Sequence, residues 1–87
     1  MKNFIPSLYT ESEPADIVVE TEQGTYIGKY DRAKFNPGMP AEEQEIWSIR
    51  FVSKPSENTI MTLYPDGLKR FVYVWNKKET YNYKFAL

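Results

Sequence analysis

Eighty-seven residues at 41% apolar and 26% charged describe one small globular domain near the size at which a single core is only marginally stabilising. Net charge is −1 and there are no cysteines and no histidines, which excludes disulfide staples, thiolate metal sites and every catalytic arrangement that needs imidazole. The charge is uneven. Residues 1–45 hold four Lys/Arg against nine Asp/Glu, a balance of −5, and residues 46–87 hold seven against three, a balance of +4.

Fourteen aromatic residues, seven Tyr, five Phe and two Trp, supply much burial per side chain for so short a chain. The opening MKNFIPSLYTESEP carries one lysine and no apolar run of signal-peptide length. No stretch reaches the roughly 18 apolar residues of a membrane span. The expectation is a cytoplasmic protein that starts at its own Met1, with residues 1–15 as an N-terminal arm and residues 16–87 as one β domain. Phe4, Ile5, Leu8 and Tyr9 of the arm are available to pack on that domain.

Ile17–Thr21 and Thr25–Tyr30 are β-rich runs flanking Glu22-Gln23-Gly24, a hairpin in which Gly24 supplies a positive φ. RAKFNPGMP, residues 32–40, is a loop. Pro40 followed by Glu42 and Glu43 suits the start of a short helical turn over residues 40–45. Trp47, Ile49 and Phe51 then alternate with Ser48 and Arg50, the pattern of a strand. KPSENT makes the next turn, and residues 59–64 form a further strand. YPDG, residues 64–67, is the most specific local signal, with Gly67 left-handed, and it predicts that residues 59–64 and 69–75 pair antiparallel. A last hairpin pairs residues 70–75 with 80–86 through Asn76-Lys77-Lys78-Glu79. The fold class is therefore all-β: a small antiparallel six-stranded meander, a curled sheet or small barrel, with at most one short helical turn near residues 40–45.

The chemistry that remains is sparse. Glu20 and Glu22 share a strand face, but a carboxylate pair at a hairpin edge is ordinarily solvated. Glu42, Glu43 and Glu45 lack the alternating spacing of a calcium loop. No serine sits in a nucleophile elbow, and the four glycines are scattered singly. The expectation is a non-enzymatic protein with no cofactor and no metal.

The stretch WNKKETYNYKF, residues 75–85, interleaves Trp75, Tyr81, Tyr83 and Phe85 with Lys77, Lys78 and Lys84. An even-residue loop in the terminal hairpin puts Val72, Val74, Tyr81, Tyr83 and Phe85 on a core face. It leaves Phe71, Tyr73 and Trp75 on the other face, with Thr80, Asn82 and Lys84. Three things can cover such a surface: the N-terminal arm, a protein partner anchored on aromatic and basic residues, or single-stranded nucleic acid stacked on the rings, with Arg70 and the lysines on phosphates. Protein binding through Phe71, Tyr73, Trp75, Lys77, Lys78 and Lys84, in an accessory or regulatory role, is the leading expectation, and nucleic-acid binding by the same residues is the alternative. The C-terminal strand TYNYKFAL has no proline and only Lys84 to guard it, so an open edge there offers a route to a homodimer.

Overall fold

The computed structural model describes residues 15–87. In chain order it contains β1 (Ile17–Glu20), β2 (Thr25–Tyr30), a 3-10 turn (Ala41–Glu43), β3 (Glu45–Ser56), β4 (Thr59–Pro65), β5 (Tyr73–Val74), a second 3-10 segment (Trp75–Thr80) and β6 (Tyr83–Lys84). The sheet runs β1-β2-β3-β4-β6, with β5 added to β3, and every pairing is antiparallel. This is the expected all-β class: a curled six-stranded meander whose two ends, β1 and β6, do not meet among the described residues. The expected arm residues Phe4, Ile5, Leu8 and Tyr9 lie outside the described residues.

The β1–β2 hairpin forms at the expected place, with Glu20 opposite Thr25. Its turn works differently. Among the described residues only Asp66 and Gly67 have positive φ, so Gly24 is not left-handed. Thr21 does the local work: its Oγ1 donates to the Gly24 carbonyl at 2.8 Å and accepts from the Gln23 and Gly24 N–H groups, both at 3.2 Å. Gly24 is required by proximity, since a Cβ there would stand 2.5 Å from the Val52 carbonyl oxygen and 2.7 Å from Cζ of Phe51.

The loop of residues 31–40 is tied down by Gln44. Its amide donates to the carbonyls of Asn36 and Met39 and accepts from the Asn36 N–H, so its burial leaves no partner unmet. The next strand is longer than its pattern implies. β3 continues through Pro55, and the expected KPSENT turn shrinks to Glu57-Asn58. A bulge between Ser53 and Ser56 accommodates the proline, because a bulged residue does not need its N–H for the ladder.

YPDG turns the chain as expected at Gly67, where φ is 74°, and Asp66 joins it at 53°. The pairing expected across it is overturned. Residues 69–75 do not pair with residues 59–64. The β3–β4 ladder runs as far as Phe51↔Leu63, and Pro65, next in phase on that edge, has no N–H to extend it. The chain crosses over instead and returns as β5, which takes the same edge of β3 further along, at Trp47↔Tyr73 and Glu45↔Val74.

The terminal hairpin is overturned for the same reason. Residues 70–75 and 80–86 do not pair; Trp75–Thr80 is 3-10, and β6 pairs with β4 at Tyr64↔Lys84 and Pro65↔Tyr83. The expected faces exchange places. Val72 and Phe85 are exposed, whereas Tyr73 and Trp75 are buried. Burying a large side chain contributes roughly 1.5–3 kcal/mol, and two such burials outweigh the local advantage of a tight hairpin.

Ile46, Trp47, Ile49, Tyr73 and Trp75 form the core cluster, ringed by partly buried Ile17, Val19, Tyr26, Tyr30, Phe35, Leu68, Tyr81 and Tyr83. Cross-strand partners fall on one face, so Tyr30, Trp47 and Tyr73 lie in one row and Ile17, Gly28 and Ile49 in the next. The bulge between Glu45 and Trp47 re-aims the strand so that two consecutive residues, Ile46 and Trp47, both enter the core.

Candidate binding surface

The six residues singled out by sequence separate into core and surface. Trp75 is 3% exposed and Tyr73 7%. The Trp75 ring lies on bare backbone at Gly28, where a Cβ would stand 2.6 Å from its Cε3, and its centroid is 5.4 Å from that of Trp47. The Tyr73 hydroxyl donates to the Pro65 carbonyl at 3.0 Å, and its ring meets Tyr81 edge-on at 4.9 Å. Phe71 is half-buried, and its carbonyl accepts from Lys34 Nζ at 2.9 Å. Lys77 is exposed in the second 3-10 segment. Lys78 lies 4.7 Å from the Trp75 ring centroid and 5.9 Å from that of Tyr26, so it seals the core's edge with its stem and a cation–π contact. Lys84 is exposed on β6. The aromatic platform expected of Phe71, Tyr73 and Trp75 is therefore not brought together on the surface.

Tyrosine electrostatics follow the burial. Desolvation raises the Tyr83 pKa far above the ordinary phenol value, with smaller contributions from Tyr26, Tyr81, Glu79 and Tyr73. Tyr26 and Tyr73 are also raised, by desolvation first. The Tyr83 hydroxyl donates to the Lys78 carbonyl at 2.8 Å, and that of Tyr81 accepts from the Val74 N–H at 2.9 Å. These two hydroxyl contacts pin the 3-10 segment and its flanks to the sheet.

A different ring gathers cations. Tyr64 is half-buried near the end of β4, with Lys69 Nζ 5.5 Å from its ring centroid. Lys84 is its cross-strand partner on β6. The register Val52↔Thr62 places Tyr64 on the same face as Arg50, the face opposite the tryptophan core. The backbone of Lys69 is fixed by Ser48, whose Oγ donates to its carbonyl at 3.0 Å. Asp66, the acid of the same turn, acts instead on Tyr73, whose pKa it helps to raise. One ring with Lys69 beside it, Lys84 across from it and Arg50 on the same face is thus an aromatic and basic surface of the described chain.

Sequence reasoning missed Tyr64 and Lys69 because both were assigned to the YPDG hairpin. Lys84 alone carries over. The signal was present in the two cations that follow the turn, Lys69 and Arg70, but their position depends on a crossover that no local pattern announces. Among the described residues no group of three acidic side chains is placed to hold a metal ion, and no buried side-chain polar atom lacks a partner. No helix of the described residues is long and apolar enough to cross a membrane. Comparison with protein-family models, with curated proteins and with solved structures finds no match.

Proposed function

We propose that this chain is a non-catalytic accessory or regulatory protein that recognises an acidic surface on a protein partner through Tyr64, Lys69 and Lys84. The observation that carries the reading is the placement of Lys69 and Lys84 around one half-buried tyrosine on the face away from the core. Tyrosine and cations of this kind anchor protein interfaces, the ring giving contact area and the charges giving orientation and on-rate. Single-stranded nucleic acid is the competing partner. It stacks successive bases on successive rings, and burial of Tyr73 and Trp75 withdraws two of the rings that role would use.

Affinity capture from the source cell tests this, using the wild-type chain and the variants Tyr64→Ala and Lys69→Glu/Lys84→Glu. A partner retained by the wild type should be lost by both variants at unchanged melting temperature, and retention should fall as salt rises, since the Debye length is about 8–10 Å at ordinary ionic strength. Capture indifferent to both variants contradicts the reading. A single-stranded oligonucleotide that binds the wild type and is lost on Tyr64→Ala would transfer the site to nucleic acid.

A further inference from the structure

We propose that a second copy of this chain adds to the sheet at the open edge of β4, the two β4 strands pairing antiparallel about a two-fold axis at Ile60, so that the two Ile60 residues lie opposite one another. This surface is separate from the Tyr64 patch, and the inference does not rest on the acidic-partner reading. Hydrogen-bond phase identifies the edge. The Asp66 N–H donates to the Asn82 carbonyl at 2.7 Å, and Tyr64 pairs with Lys84, so the even residues of β4 turn their backbone groups toward β6. The two-residue alternation of a strand aims the N–H and C=O of Thr62 and Ile60 the same way. No described strand meets them. β6 ends at Lys84, and the chain then turns back, the Leu87 N–H donating to the Gly67 carbonyl at 3.1 Å.

Three further features point to a second copy as the occupant. The β2–β3 ladder ends at Thr25↔Val52, so β3 and β4 continue past it as a ribbon of two strands, an arrangement that is marginal in water alone. Pairing β4 with β4 turns that ribbon into four strands. The other exposed edges are guarded: Lys54 and Pro55 on β3, Glu20 on β1, Lys84 on β6. Thr59–Leu63 carries neither charge nor proline, and an uncharged strand meets its own copy without like charges coming opposite one another. Within it, Ile60 is 46% exposed. The two-fold sets one Tyr64 patch on either side of the seam, so the dimer presents two recognition surfaces.

The absence of cysteine gives a clean test. Ile60→Cys in the full chain should oxidise to a covalent dimer at low protein concentration, while Val18→Cys, exposed on the opposite edge of the sheet, should not. Sedimentation of the wild type should show a dimer fraction that grows with concentration. Thr62→Pro removes one outward N–H per copy and should weaken that association about thirtyfold at unchanged near-ultraviolet circular dichroism, the effect of two lost hydrogen bonds per dimer. Should Thr62→Pro fail to fold, Ile60→Lys supplies the same loss by placing like charges at the seam. A full-length chain that stays monomeric at high concentration overturns the proposal, the edge then being covered by its own chain or by another protein. Equal cross-linking of Ile60→Cys and Val18→Cys overturns it as well.

Discussion

Gly28 and Trp75 are two halves of one feature. A strand-interior glycine costs stability unless something needs the space, and here the Trp75 ring occupies the volume a Cβ would take. Gly28→Ala should therefore destabilise by about 1–3 kcal/mol through overpacking, measured as a lower melting temperature. Trp75→Ala should cost about 3–5 kcal/mol. The two losses should not add, because the closest clashes of the alanine Cβ are with the Trp75 ring and disappear once that indole is gone. Tyr83 gives an alkaline counterpart. Its folded pKa is raised above the unfolded value, so its contribution is complete below the unfolded pKa near 10 and is lost as pH climbs toward the folded value. Titration with base should unfold the wild type above about pH 10. Asp16 works in the opposite sense. Its carboxylate accepts from Arg32 at 2.8 Å and from the Tyr30 N–H at 3.0 Å, which holds its pKa below the ordinary value. That stability is present above the unfolded pKa and is lost as acid takes the pH down through the folded one. Asp16→Asn should flatten this acid limb.

Elements divide into those built from neighbours in sequence and those built across it. The β1–β2 hairpin, the β3–β4 hairpin and the left-handed Gly67 were legible, because alternation and turn chemistry act within a few residues. Gly67→Ala should destabilise by about 1 kcal/mol or more. The strained φ is one cause, and a Cβ only 2.8 Å from the Phe85 carbonyl oxygen is another. An unchanged melting temperature would contradict the turn. β5 and β6 were not legible. Val72, Tyr73, Val74 and Trp75 are apolar on both sides of the strand, so the alternation that fixes which face is buried carries no information there. Tyr73 and Trp75, expected on the surface, are the core, while Val72 and Phe85, expected in the core, are exposed. The decision belongs to β3, whose edge beyond Pro65 is open to a second strand. Of the candidate site, only Lys84 could be found from the residues, since Tyr64 and Lys69 meet through the chain path after Gly67.

At the scale of the molecule, the sheet has two unlike faces. One carries the tryptophan core, closed over by the crossover and the second 3-10 segment; the other carries Arg50, Tyr64 and Lys84. The basic balance of residues 46–87 therefore acts partly on a face where Ile27, the cross-strand partner of Arg50, is buried, and substitutions at the exposed Lys69 and Lys84 should change binding and leave folding intact. Lys69→Glu with Lys84→Glu should leave the melting temperature within about a degree or two, as expected of surface changes within roughly 0.5 kcal/mol. The central claim is that Tyr73 and Trp75, expected on the surface, are interior. The chain's two tryptophans test it directly, both being 3% exposed. Tryptophan emission and its quenching by iodide, recorded on the folded protein and again after denaturation, should show short-wavelength, quencher-protected emission that shifts and becomes quenchable only on unfolding. Water-like, freely quenched emission from the folded Trp47→Phe variant, which reports Trp75 alone, would contradict the account.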